Sequence, residues 1–209
     1  MRLLRVSWKI VVDISPIFQY LPNTLNERLN MGYTTDFDGT FTCTPALNES
    51  QVAYLKQFAE TRRMARNPAI ASTLPDPLRE AVGLPIGEEG EFFVGGGGSY
   101  GQGQDASILD YNSPAKSQPG LWCQWVPTED GNGIEWDGGE KFYNYIEWIK
   151  YLNEKFLKPW GIVLDGKVSW SGEESSDVGV IVAKGGKIRY KEIERQSFSF
   201  EDCDENTED

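Results

Sequence analysis

Residues 121–161, LWCQWVPTEDGNGIEWDGGEKFYNYIEWIKYLNEKFLKPWG, hold five of the chain's seven tryptophans and its clearest helical pattern. Leu121 to Val126 is a run of aromatic and branched residues of the kind a strand buries, and Pro127 closes it. Asp130-Gly131 and Asn132-Gly133 follow, two dipeptides that tolerate the positive φ a reversal needs, so a hairpin is expected. Its second arm alternates, with Ile134 and Trp136 on one face and Glu135 and Asp137 on the other. Gly138-Gly139 breaks the pattern. Phe142, Tyr145, Ile146, Ile149, Leu152, Phe156 and Trp160 then recur at three- and four-residue intervals, which predicts a helix with an apolar stripe. Glu140 falls in its first turn, Lys155 and Lys158 near its end, and Pro159 and Gly161 stop it. Trp136 shares the buried face of its strand, whereas Trp148 falls beside the stripe and is read as a surface residue.

Upstream, Tyr33 to Thr44 alternates strongly: Phe37, Phe41 and Cys43 share one face, and Asp36, Asp38, Thr40 and Thr42 the other. Asn48 with Gln51 three residues on is a capping box for a helix carrying Val52, Leu55, Phe58 and Ala59, expected to run to about Met64. Arg62, Arg63 and Arg66 are then placed at its C-terminus, where cations satisfy the dipole and the free carbonyls; an anion site is the alternative. Asp76-Pro77 with Gly83 brackets a short helix. Val168 and Trp170 mark a strand, and Val178–Ala183 with Ile188–Tyr190 a terminal hairpin turning at Gly185-Gly186.

Residues 84–120 hold one apolar run, Phe92-Phe93-Val94, followed by GGGGSYGQGQD and an irregular stretch, and a loop of this length is expected to be functional or mobile. It spells G-x-G-x-x-G at Gly96, Gly98 and Gly101, but no helix or second βαβ unit follows. It also spells G-x-S-x-G around Ser99, but the chain has no histidine to serve as base.

The resulting order from residue 33 is strand, helix, long loop, strand, strand, helix, strand, hairpin. This is the α+β order of a ferredoxin-like βαββαβ sandwich with a long Gly-rich insertion and an extra C-terminal hairpin. The expected organisation is an appended segment at 1–30, one domain over 31–200 with a mobile insertion at 84–120, and an acidic disordered tail at 201–209. Residues 1–30 are too charged and too short to span a membrane and lack a cleavage site, so a cytoplasmic protein is expected.

The absence of histidine removes Ser-His-Asp and Cys-His catalysis and His-ligated metals. Three cysteines, far apart and without a CxxC, indicate neither a disulfide framework nor a zinc knuckle. A net charge of −12 argues against direct nucleic-acid binding, which depends on Lys and Arg. What remains is a non-enzymatic binding module with an acidic and aromatic surface, acting on a host protein or a small ligand. The candidate ligand contacts are Tyr100 and Asp110 on the long loop, Trp125 and Glu129 on the hairpin, and Trp148. The alternative is a divalent-metal carboxylate enzyme: if Tyr33–Thr44 lies beside Ile134–Asp137, then Asp36, Asp38, Glu135 and Asp137 emerge on one face and could share Mg²⁺ or Ca²⁺. An acidic DNA mimic or an assembly protein is a further alternative, and the oligomeric state is open.

Met31-Gly-Tyr-Thr-Thr, Thr61-Arg-Arg-Met64, PGLWCQWVPTEDG at 119–131 and EWDGGEKFYNY at 135–145 resemble a family of uncharacterised tailed-bacteriophage and bacterial proteins. The resemblance spans residues 31 to about 190. It implies an intracellular accessory protein and carries no activity with it.

Overall fold

The computed structural model describes residues 33–193; the segment 1–30 and the tail 201–209 lie outside the described residues. Strand β1 (Thr35–Thr44) is followed by helix α1 (Glu49–Glu60), β2 (Met64–Arg66) and the short helices α2 (Pro68–Ala71) and α3 (Pro77–Ala81). Then come β3 (Ile108–Pro114), β4 (Trp125–Pro127), β5 (Gly133–Trp136), helix α4 (Tyr145–Leu152) and strands β6 (Val163–Gly172), β7 (Val178–Lys184) and β8 (Lys187–Glu192). This is a mixed α/β chain with a six-stranded antiparallel sheet in the order β4-β5-β1-β6-β7-β8, and β2 and β3 form a separate pair.

β1 lies inside the sheet, as its alternation requires: Phe41 and Cys43 are buried, while Asp36, Asp38, Thr40 and Thr42 are exposed. It pairs with β6 from Thr35↔Gly172 to Thr44↔Val163, but with β5 only at Phe41↔Ile134 and Thr42↔Gly133. Gly39 fixes the long ladder. Its φ is +113°, and a Cβ there would stand 2.5 Å from the Lys167 carbonyl oxygen. Gly39→Ala should therefore cost about 1–3 kcal/mol, the range for a forced backbone conformation. Equilibrium urea unfolding checks this, and a change within 0.5 kcal/mol would mean that the ladder yields at this point.

One face of the sheet is closed by α1 and α4. Asn48 caps α1 in a complete box: its side chain accepts from Gln51 N at 2.9 Å, and Gln51 Oε1 accepts from Asn48 N at 2.9 Å. The core gathers Phe41, Tyr54, Phe58, Trp125, Trp148 and Phe156, all nearly or fully inaccessible, under Leu164, Val168 and Ile181 of the sheet.

Several expectations are corrected. The second helix starts at Tyr145, because Lys141 and Asn144 adopt left-handed backbone (φ 62° and 56°) and Asn144 Nδ2 donates to Pro119 O. It ends in a π-turn over Asn153–Leu157, and that extra residue buries both Phe156 and Leu157. The first hairpin arm is Trp125–Pro127, with Pro127 inside the edge strand, where its missing N–H costs nothing. α1 stops at Glu60 with no basic residue in its last turn. The three arginines serve another part of the chain.

That part is 84–120, expected as a loop and found to contain β3, two 3₁₀ turns and buried Glu91, Phe92, Phe93, Val94, Ser107, Ala115 and Gln118. Arg62 Nε donates to Tyr111 O at 2.9 Å, and Arg63 Nη2 to Glu91 O at 3.0 Å and Phe93 O at 2.8 Å. Arg66 Nη1 reaches Asp105 Oδ2 and Ser107 Oγ, each at 2.7 Å, and its Nη2 reaches Gly101 O at 3.1 Å. A glycine-rich segment offers many unpaired carbonyls, and three forked guanidiniums satisfy them. Arg63 is completed by a ring: its Cζ sits 4.1 Å from the Phe58 centroid, while Nε and Nη1 find no acceptor among the described residues. Burial lowers its pKa. Glu91 joins the segment to the last helix through Tyr151 Oη at 3.0 Å and Lys155 Nζ at 3.3 Å.

Candidate functional site

β4 is a free edge, and a cleft of about 570 Å³ runs along it. α1 supplies Lys56 and Glu60 to its lining, the approach to β4 supplies Trp122, Cys123 and Gln124, and β5 and its end supply Glu135, Trp136 and Asp137. Glu129, in the hairpin turn, and Tyr100 complete it. Residue parity explains the chemistry. Cys123, Trp125 and Pro127 turn into the core, which leaves Trp122, Gln124 and Val126 on the outside.

Tyr100 reaches the cleft because its backbone is held in an unusual place. It has φ 57°, its carbonyl oxygen accepts from Arg62 N at 3.0 Å, and its ring is 62% exposed. A non-glycine residue at positive φ persists only where its surroundings over-determine it. The Tyr100 ring meets Trp122 edge-on, with centroids 5.6 Å apart and planes at 89°. Trp122 already receives one cation, the Arg62 guanidinium, whose Cζ lies 5.7 Å from its centroid. Below, Trp136 Nε1 donates to Gln124 Oε1 at 3.1 Å, and Gln124 Nε2 to Glu140 O at 2.8 Å, so the polar floor is internally satisfied.

The carboxylates are not. Among the described residues, none of Glu60, Glu129, Glu135 or Asp137 makes an ion pair. Desolvation raises the pKa of Asp137 despite the hydrogen bond that its Oδ1 accepts from Gly139 N at 2.7 Å. Cys123 offers no nucleophile, since burial pushes its thiol up to about 12.

Of the expected ligand contacts, the cleft gathers Tyr100 and Glu129 and leaves out the other three. Trp125 is 1% exposed, and its Nε1 donates to Tyr145 O at 2.8 Å; Trp148 is fully buried against Phe58 and Tyr151. Both are corrected from surface contacts to core. Trp148 lies beside the stripe that packs on the sheet, but residues 84–120 cover that flank as well. Asp110 sits on exposed β3, where its carboxylate accepts from Asn112 N at 2.8 Å and Ser113 Oγ at 2.7 Å, bonds that lower its pKa. Trp122, Gln124 and Glu60 were missed. For Trp122 and Gln124 the strand parity was available in the sequence.

The four residues expected to hold a metal are divided. Glu135 and Asp137 line this cleft, whereas Asp36 and Asp38 border a separate depression with Ser169 and Ser171. β5 leaves β1 beyond Ile134, with Asp137 N bonding back to Gln124 O at 3.0 Å, while the Phe37 ring packs against Trp136. Among the described residues no three Cys, Asp or Glu side chains are placed to hold a metal ion. No described helix is long and apolar enough to cross a membrane. No protein-family model, curated protein or solved structure matches the chain.

Proposed function

We propose that this chain is a non-enzymatic binding module whose β4 cleft takes an organic cation, such as a guanidinium or alkylammonium group of a host protein or a small ligand. One observation carries the reading: unpaired carboxylates and the aromatic rings of Tyr100, Trp122 and Trp136 line a single concave surface. Carboxylates set around a wide cleft suit a large, diffuse charge better than a hard ion, which needs several oxygens at about 2.0–2.6 Å. Aromatic faces add about 0.5–2 kcal/mol for each cation they receive. The resemblance to phage and bacterial proteins supports an accessory role inside the cell. The scaffold we infer is the ferredoxin-like sandwich, supported by the order β4-β5-β1-β6, with the β7–β8 hairpin added at one edge and residues 61–120 inserted.

Titrating the full chain with tetramethylammonium, arginine amide and an arginine-rich peptide, read by calorimetry and tryptophan fluorescence, tests the proposal. Saturable binding is expected for the arginine probes. Trp122→Ala should weaken it about tenfold, the equivalent of about 1.4 kcal/mol. The same variant should cost little stability, since Trp122 stands outside the buried cluster. Absence of saturation with every probe, or equal affinity in Trp122→Ala, would remove the cleft as the site.

A further inference from the structure

The sheet face turned away from the helices is divided by charge. The register sets which side chains share it. Thr40 pairs with Lys167, Lys167 with Val182 and Val182 with Arg189; in the next row Asp38 pairs with Ser169, Ser169 with Val180 and Val180 with Lys191. Directly opposed residues of antiparallel strands project to the same side, so these rows lie on one surface. Its β1 side carries exposed Asp36 and Asp38. Its other side carries Lys167, Lys184, Lys187, Arg189 and Lys191, all exposed, and Asp165 there is engaged by the Gly185 N–H at 2.7 Å. None of these aspartates or cations makes an ion pair among the described residues.

Two simpler explanations do not cover the pattern. Lysines on an edge strand deter edge-to-edge pairing, which accounts for β8 but not for Lys167 and Lys184 on the interior strands β6 and β7. A solvated face need not be apolar, yet Val180 and Val182 floor a depression of about 530 Å³ that the β7–β8 cations rim.

We propose that this face docks a second copy of the chain, with Asp36 and Asp38 of each protomer over the β7–β8 cations of the other. A two-fold axis lying in the interface parallel to the strands produces this arrangement twice, because it exchanges the acidic and basic sides of the face. Val180 and Val182 then come under cover. The four strands β1, β6, β7 and β8 at about 4.8 Å and four residue rows at about 6.6 Å give about 500 Å² per copy, or about 1,000 Å² in total. That is the lower bound for a specific interface, so a weak dimer is expected. Asp36 and Asp38 lie outside the β4 cleft, and the proposal stands or falls independently of it.

Sedimentation velocity of the full chain from micromolar to several hundred micromolar, at 150 mM salt, tests the assignment. A concentration-dependent dimer is expected. Asp36→Lys with Asp38→Lys should abolish it, although these changes make an acidic chain less negative and would strengthen association if net charge alone governed it. Lys187→Glu, Arg189→Glu and Lys191→Glu together should abolish it as well. Mixing the two variants should restore a one-to-one complex through one repaired contact. A monomer throughout, a dimer indifferent to both sets, or a mixture that stays monomeric each overturns the proposal. Should a reversed variant lose its circular dichroism, Asp36→Asn with Asp38→Asn replaces it, and at least a tenfold weakening is expected. Carbodiimide cross-linking of mixed isotopically light and heavy chains gives the contact itself. Links between copies joining Asp36 or Asp38 to the β8 lysines are expected, whereas links confined to one chain, from those lysines to residues 201–209, would assign the basic side to the tail instead.

Discussion

Trp148→Ala should destabilise the protein by about 3–5 kcal/mol, the cost of emptying a site built for a large buried aromatic. Trp148 is fully inaccessible, and its ring stands edge-on to Phe58 at 6.1 Å and to Tyr151 at 5.5 Å. Phe58 in turn bears the Arg63 guanidinium, so a cavity at Trp148 loosens the ring that completes a buried cation. Trp136→Ala should cost less, because Trp136 is half-buried and its Nε1 bonds to Gln124 at the cleft. This ranking reverses the one that helix periodicity gives. Urea unfolding followed by circular dichroism decides it, provided that the denaturant slope is unchanged. A loss below 1 kcal/mol for Trp148→Ala, or a larger loss for Trp136→Ala, would mean that Trp148 is not a core residue.

Why the sequence misplaced Trp148 but placed Phe41 is a matter of range. Phe41, the Asn48–Gln51 box and the Asp130–Gly133 turn are set by neighbours within a few residues, and local chemistry decides their conformation. The apolar stripe of α4 was equally legible, but only for the side that packs on the sheet. Its second covered side is made by residues 84–120, whose order comes from arginines some 30 to 50 positions upstream. A Gly-rich segment shows no periodicity because backbone carbonyls, not side chains, are what it offers. The arginines were visible as a cluster at 62–66, but at a helix end they had a sufficient local use. The cleft was half legible in the same way. Glu135 and Asp137 followed from strand alternation and Tyr100 from its place on the long loop, whereas Trp122 needed the parity of Cys123, Trp125 and Pro127 carried back through a segment that is not itself a strand. The metal set failed on one assumption, that β1 and β5 stay paired past Ile134.

The Arg66–Asp105 pair should be the other large contributor, and its effect should depend on pH. Arg66 is 2% exposed and Asp105 22%, and Nη1 and Oδ2 stand 2.7 Å apart. Removing one member of such a pair leaves the other charge uncompensated, at about 3–5 kcal/mol. Arg66→Ala should approach that range, because it also strips Ser107 and the Gly101 carbonyl of a donor and removes the stem that packs beneath Gly90. For Asp105, desolvation alone would raise the pKa, but hydrogen bonds from Ser107 and Arg66 outweigh it, and the folded value lies below the unfolded one. The sign follows. A depressed carboxylate contributes its full stability above the unfolded pKa of about 3.9 and loses it as pH falls through the lower folded value. Asp105→Asn should therefore cost stability at pH 7 and progressively less on acidification below about pH 4, until wild type and variant converge. Arg66→Ala should also flatten the acid limb, since Asp105 then keeps only Ser107 to hold its pKa down. Urea unfolding of the three proteins from pH 7 to pH 3 measures both effects, and parallel curves across that range would show that the pair is not the titrating contact that holds residues 84–120 to β2.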